Sequence, residues 1–236
     1  MPLRNFKVLT FDVVGTLIDF ERGMLTYLRK VGGPAVAARS DDDILTCYRQ
    51  HRGNTPTKWF PDDLVRVYAA MAPDLGLPTG KELAEGFRDS IKDWPPFPDS
   101  IEALRRLGTR YKLVAMTNAQ RWALNCMQKT LLSPFHDTVT VDEARCEKPD
   151  PVFFGFTRGR LSKEGHVLED ILHVAQSQYH DIGVARKLGY TVCWIERRKS
   201  LRGSGGTLEA AHTRPDYHFA TLRELADAID NESSEA

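Results

Sequence analysis

The stretch Lys7-Val8-Leu9-Thr10-Phe11-Asp12-Val13-Val14-Gly15-Thr16-Leu17 constrains this chain more than any other. Val8, Leu9 and Phe11 form a short apolar run suited to a strand buried on both faces of a parallel sheet. The run stops at a carboxylate, with Gly15-Thr16 close behind. Open α/β sheets bind ligands at the carboxyl ends of their strands, which is where Asp12 is expected. Gly15 lets the backbone turn tightly, and the Thr16 hydroxyl can face the same pocket. Cradled by backbone N–H groups, a carboxylate stays ionised at neutral pH and can act as a nucleophile. An ordinary Asp-x-x-Gly turn has the same spelling, so the stretch alone leaves both readings open.

Beyond Thr16 the periodicity changes. Segments 41–48, 62–70 and 80–94 have helical spacing; in the last, Leu83, Phe87 and Ile91 recur every four residues on one face. Val31-Gly32-Gly33-Pro34 and Gly76-Leu77-Pro78-Thr79-Gly80 punctuate the block, and no strand pattern interrupts it. Trp94-Pro95-Pro96-Phe97-Pro98-Asp99-Ser100 reads as a return hinge, with Asp99 or Ser100 able to cap a helix carrying Ile101, Leu104 and Leu107. Strands are then expected at 113–116, 137–141, 171–175 and 191–195, with a short edge strand at 217–220. Helical patterns separate them, one beginning at Asp181 and stopping near Gly189. Pro151 suits a helix start, and Thr221 can cap a last helix holding Leu222, Leu225 and Ile229. The acidic tail, 231–236, is expected to be disordered. Strands alternating with helices imply a mostly parallel sheet with right-handed crossovers. The expected fold is therefore α/β, a Rossmann-like doubly wound sheet: residues 1–18 and 95–236 form the core, and 19–94 form a helical cap inserted after the first strand.

Composition narrows the function classes. Lys and Arg total 32, as do Asp and Glu, so no overall charge attracts nucleic acid or a membrane surface. Cys47, Cys126, Cys146 and Cys193 lack any Cys-x-x-Cys spacing and suit a reducing compartment. No window is apolar enough to span a membrane, and the first strand starts too early to leave room for a signal peptide. A cytoplasmic protein acting on a small molecule is expected. Oligomeric state, a homodimer included, is left open.

The strand ends carry the chemistry. The first strand ends in Asp12, the second in Thr117-Asn118, and the fourth in Gln176-Ser177 with Gln178 and Asp181 behind, while Lys148 follows the third. All can converge on one pocket at the carboxyl edge of the sheet. Each alone has a bland explanation as a cap, turn or solvated charge; the ordered set does not.

This arrangement resembles the haloacid dehalogenase superfamily over nearly the whole chain. Phe11-Asp12-x-x-Gly15-Thr16-Leu17 is similar to its nucleophile motif, Thr117-Asn118 to its hydroxyl-bearing second motif, Lys148-Pro149 to its lysine motif, and 174–181 to its acidic fourth motif. Two departures bear on the reaction. Phosphatases of the superfamily have an acid two residues after the nucleophile, where this chain has Val14. They also have Gly-Asp, whose aspartate helps to hold magnesium, where this chain has Ala175-Gln176. The resemblance therefore falls closest to the 2-haloacid dehalogenase branch, which needs neither a metal nor a general acid because halide leaves unprotonated. That branch usually carries an aromatic residue at the Val14 position, and the smaller side chain implies a roomier pocket.

By this resemblance Asp12 is the nucleophile, Lys148 keeps it charged, and Asp181 serves the water that hydrolyses an aspartyl ester. Thr16, Thr117, Gln176, Ser177 and Gln178 would line the site of a small anionic organic substrate, with Asn118 donating to the departing halide. A cap arginine would complete the halide cradle, Arg49 ahead of Arg52. No cofactor is required; Mg²⁺ would enter only under a phosphatase or phosphonatase-like alternative, on Asp12 and Asp181. A binding protein that kept the fold and lost turnover is the other alternative. Among the remaining features, His180 reads as a residue at the pocket rim and His173 as a satisfied core histidine. Gly203-Ser204-Gly205-Gly206 reads as a flexible surface connection, and Arg197, Arg198, Lys199 and Arg202 as a solvated basic loop. Trp59, Phe60 and Trp94 either wall the pocket or pack the cap on the core.

Overall fold

The computed structural model describes residues 2–53, 56–201 and 203–234. Strand β1 (Val8–Phe11) is followed by helices α1 (Phe20–Ala37), α2 (Asp41–Arg52), α3 (Leu64–Leu75) and α4 (Lys81–Asp89). The chain then alternates through α5 (Ser100–Leu107), β2 (Lys112–Met116), α6 (Arg121–Thr130), β3 (Asp137–Val139), α7 (Val141–Ala144), α8 (Pro151–Lys163) and β4 (Ile171–Ala175). It closes with α9 (Gly183–Lys187), β5 (Thr191–Ile195), β6 (Tyr217–Phe219) and α10 (Leu222–Ser234). The described strands form one six-stranded sheet in the order β3-β2-β1-β4-β5-β6, with every pairing parallel. Chain order reverses between β1 and β4, the switch point at which a doubly wound sheet opens a crevice.

Alternation along the strands divides the core. Leu9, Phe11, Leu113, Ala115, Leu172 and Val174 face one side, against α5, α6, α10 and the helices that follow β1. Val8, Val114, Met116, Ile171, Ala175 and Val192 face the other, against Phe153, Phe154 and Leu161 of α8 and Ala185 of α9. Each large apolar side chain buried this way contributes about 1.5–3 kcal/mol. The helices between β1 and α5 join the first cluster through Met24, Leu28, Tyr48, Tyr68 and Phe87, so they share a continuous apolar body with the sheet. No helix among the described residues is long and apolar enough to cross a membrane.

Several local expectations change. β3 stops at Val139 because the Thr140 hydroxyl leaves the sheet to cap α7, with Glu143 bonding back to the Thr140 N–H. The 80–94 helix ends at Asp89 and tightens into a 3₁₀ turn at Ser90–Asp93. Asp99 starts α5, but its carboxylate accepts from Leu222 N–H at 2.7 Å and Arg223 N–H at 3.1 Å, capping α10 instead. The acidic tail continues α10 to Ser234. Arg4 bonds Glu232 in this tail, and just ahead of it Arg106 pairs with Asp227 and Asp230. Residues 235–236 lie outside the described residues.

Candidate active site

Asp12 leaves β1 with its N–H donating to Val174 O on β4, which fixes its backbone in the crevice. Gly15 turns the chain at φ 91°, a left-handed conformation that favours glycine. The turn brings the Thr16 hydroxyl to Asp12 Oδ2 at 2.7 Å, while Thr16 Oγ1 accepts from Gln176 N–H at 2.9 Å. One threonine thus joins the loops after β1 and β4.

Lys148 reaches the same point from the far side of β2. Its Nζ donates to Asp12 Oδ1 at 2.9 Å, Asp181 Oδ1 at 2.6 Å and Met116 O at 2.7 Å. These contacts use all three donors of an ammonium group. Asn118 holds the lysine in place: its Oδ1 accepts from Lys148 N–H at 2.7 Å and its Nδ2 donates to Lys148 O at 2.8 Å. The amide expected to meet a departing halide is therefore engaged at both ends in positioning Lys148, although Asn118 still lines the cavity. Thr117 lies beside it, its hydroxyl accepting from Ala119 N–H at 3.2 Å.

Asp181 is buried inside a π-helical turn, Gln178–Ile182, rather than at the start of α9. Its Oδ1 receives Lys148 and His173 Nε2, the latter at 3.0 Å, and its Oδ2 has no hydrogen-bond partner. Burial alone would raise this carboxyl, but Lys148 and His173 outweigh it and hold it at about 2. Burial raises the Asp12 carboxyl above the usual range, Lys148 pulls it down, and the Asp181 charge pushes it further up. Burial opposes charge on Lys148 too, yet the two carboxylates leave it above an ordinary lysine. The trio therefore holds one fixed anion, one fixed cation and a second carboxylate that is the easier of the two to protonate.

These groups open onto a cavity of about 90 Å³ lined by Asp12, Val14, Thr117, Asn118, Lys148, Gln176, Ser177, His180 and Asp181. Its other walls are Phe20, Tyr48, Arg52, Phe60 and the segment 206–208. Val14 lines this cavity together with the rings of Phe20, Tyr48 and Phe60. Ser177 Oγ accepts from His180 N–H at 2.9 Å. The His180 imidazole is pushed down to about 4, by lost hydration first and then by Lys148 and Arg52, so it is neutral at pH 7. Gln178 does not line this cavity; its Oε1 turns away to accept from Thr213 N–H at 2.9 Å.

Arg49, expected to reach the substrate, points elsewhere: it donates to Gly205 O and pairs with Glu209. Arg52 lines the cavity in its place, with a buried Nη1 that has no hydrogen-bond partner. Docking on the 205–209 segment accounts for the exchange, since it takes up Arg49 and leaves Arg52 to the cavity. Arg52 follows the buried Tyr48 by four residues and Arg49 follows the buried Leu45 by four, so both lie near the buried side of α2.

Three discounted features belong to the site. Gly205 and Gly206 dock on the helices rather than forming a loose connection: Gly206 N–H donates to Glu21 Oε1 at 2.9 Å, and Gly206 packs against Phe20 and Tyr48. Arg197 is not solvated. It donates to both oxygens of Asp99, at 2.8 and 2.9 Å, and to Thr16 O at 2.9 Å, bracing the loop that carries the nucleophile motif. Arg198 pairs with Glu21 and Asp42; Arg202 lies outside the described residues. His173 is a buried core histidine as expected, but one of its partners is Asp181. Of the aromatic residues, Phe60 walls the cavity and Trp94 packs behind it against Phe20 and Phe60. Trp59 joins the apolar cluster on the opposite sheet face.

A family model described as haloacid dehalogenase-like hydrolase matches residues 6–189. The (S)-2-haloacid dehalogenase of Pseudomonas putida is 23% identical over 160 residues, a stretch spanning 66% of this chain and 66% of that protein. Among solved structures, the L-2-haloacid dehalogenase from Xanthobacter autotrophicus has a TM-score of 0.74 at 19% identity, covering 96% of this chain and 99% of the other. YfnB of Bacillus subtilis, solved bound to magnesium, has a TM-score of 0.75 at 17% identity, covering 96% and 99%. At such identities these likenesses establish the fold.

Proposed function

The chain belongs to the haloacid dehalogenase-like hydrolase family, and from that premise we propose that it removes halide from a small 2-haloacid, with Asp12 as nucleophile. The observation that carries this reading is the surroundings of Asp12: a hydroxyl and an ammonium hold it, and Val14 stands where a proton donor for an oxygen leaving group would be. Halide departs without a proton, so such a site favours carbon–halogen over phosphate-ester cleavage.

Asp12 attacks the halogen-bearing carbon from the face opposite the halogen. A carbon–oxygen bond forms, the carbon–halogen bond breaks, and halide leaves with its electron pair. Water then adds to the Asp12 carboxyl carbon, passing a proton to Asp181. The adduct collapses by expelling the 2-hydroxy acid oxygen, which takes that proton back, and Asp12 regains its carboxylate by releasing the other proton. Arg52 supplies the cation for the substrate carboxylate or the halide, since its buried Nη1 lacks a partner. The helical block 19–94 acts as the cap, and Phe20, Tyr48, Arg52 and Phe60 from it line the cavity, which suits a small substrate.

The donor set fits magnesium poorly. Lys148 and Thr16 occupy the two Asp12 oxygens, and Gln176 supplies a neutral amide where a hard cation prefers carboxylate oxygen. Only Asp181 Oδ2 is a carboxylate oxygen without a partner here. Purified protein screened against chloro-, bromo- and fluoroacetate beside a panel of phosphate esters tests the reading. Halide release from at least one haloacid is expected; phosphate release without halide release would overturn it.

A further inference from the structure

β4 is apolar at four of its five positions and fully buried, yet it carries His173 at its centre. In the register with β1, Val8 faces Ile171, Leu9 faces Leu172 and Phe11 faces Val174, while Thr10 faces His173. One polar pair thus interrupts a ladder of apolar ones. A buried imidazole must find hydrogen-bond partners or destabilise the core. His173 finds them on both sides: Nδ1 lies 2.9 Å from Thr10 Oγ1, and Nε2 lies 3.0 Å from Asp181 Oδ1. Phe154 and Tyr190 meet the ring edge to face, with centroids 5.5 and 6.4 Å away, which fixes its plane.

We infer that His173 is a positioning residue for Asp181, held by Thr10, and that it serves the hydrolysis of the ester rather than its formation. The inference rests on the dehalogenase reading above. An ionised carboxylate only accepts hydrogen bonds, so Nε2 carries a hydrogen, and in the neutral ring Nδ1 then accepts from the Thr10 hydroxyl. The chain of donors runs from Thr10 through His173 to Asp181 Oδ1, where the Lys148 ammonium also arrives. Two donors on Oδ1 fix the carboxylate plane and leave Oδ2 as the oxygen without a partner. That oxygen is the one available to take a proton from water. The Asp12 carboxylate, by contrast, is held by Thr16 and Lys148, while the His173 ring bonds Thr10 and Asp181. Loss of the imidazole therefore disturbs the group that activates water and spares the nucleophile.

Rapid-quench reactions with 2-bromopropionate separate the two halves: halide release reports ester formation, and the mass of the peptide containing Asp12 reports the ester. In His173→Leu we expect a halide burst at near the wild-type rate, ester hydrolysis slowed about 10- to 100-fold, and ester accumulating on Asp12. His173→Gln, whose amide can place a donor near the Nε2 position, should recover most of the hydrolysis rate. Thr10→Val should slow hydrolysis several-fold, about the effect of one lost hydrogen bond, without changing the burst; it carries the test if His173→Leu does not fold. Equal slowing of both phases in His173→Leu, no gain in His173→Gln, or unchanged hydrolysis in Thr10→Val would overturn the inference. A wild-type protein that releases halide through an ester but shows one of those patterns removes only the role of His173. A wild-type protein that forms no ester and releases no halide removes the dehalogenase reading, and this inference with it.

Discussion

Lys148 Nζ lies 2.9 Å from Asp12 Oδ1, on a lysine that is 2% exposed. The same nitrogen is 2.6 Å from Asp181 Oδ1, so one buried cation stands between two buried acids. Removing it leaves like charges together in a medium that stabilises neither, and the acid that is easier to protonate takes up a proton. Asp12 is that acid.

Lys148→Met should therefore remove the charge of Asp12, the proposed nucleophile, as well as a structural tie. We expect single-turnover halide release to fall at least about a thousandfold, given ΔΔG‡ of about 4 kcal/mol at 1.36 kcal/mol per decade. Urea unfolding should show a loss of about 3–5 kcal/mol, the usual cost of stranding one half of a buried ion pair. Halide release within tenfold of wild type would remove Lys148 from the chemistry.

The raised Asp12 carboxyl fixes the sign of the acid limb. Only the anion attacks carbon, so ester formation is lost as pH falls through the raised value, which lies above the ordinary aspartate value of about 3.9. Asp181, held at about 2, stays ionised through that range, and Lys148 stays charged. Pre-steady-state halide release against pH should show a single-proton limb displaced upward from that ordinary value. A limb at or below it contradicts the assignment.

Arg52 and Arg49 separate cleanly by mutation. Arg52→Ala should lower kcat/KM for a haloacid about 10- to 150-fold, corresponding to a lost charge-assisted hydrogen bond of about 1.5–3 kcal/mol. Arg49→Ala removes contacts to Gly205 and Glu209, neither of which lines the cavity, and should cost less than about threefold. Steady-state kinetics on both variants decide it; the reverse order of effects would return Arg49 to the site.

Gly206 sets one wall of the cavity. A Cβ there would sit 2.8 Å from the Phe20 ring, inside contact distance, and Phe20 itself lines the cavity. Gly206→Val should narrow the cavity and reduce kcat/KM more for 2-bromopropionate than for bromoacetate. Equal losses on the two substrates would place the effect elsewhere.

Chelation bears on the metal-free proposal. Full turnover is expected after treatment with excess EDTA and removal of metal by desalting. Activity lost on that treatment and restored by magnesium would return Asp181 Oδ2 and Gln176 to consideration as metal donors.

Most of the fold was legible because it is written in local pattern. Apolar runs, turn residues and helical spacing repeat over a few residues, so the α/β order, the parallel strands and the helical block after β1 can all be read from neighbours in the chain. Asp12, Thr16, Lys148 and Asp181 were legible for the same reason: each sits in a short motif, three of them following β1 or β4 and Lys148 just ahead of α8. Sequence by itself determined which chemical groups arrive at that rim. Tertiary structure alone decided which of them meet, because that depends on docking between residues far apart in the chain. It turned Arg52 inward and Arg49 toward Gly205, and it folded the Gly205-Gly206 connection against Phe20 and Tyr48. It also brought Thr10 and Asp181 to opposite sides of one buried histidine ring, since a polar group removed from water takes the partners that packing places within reach.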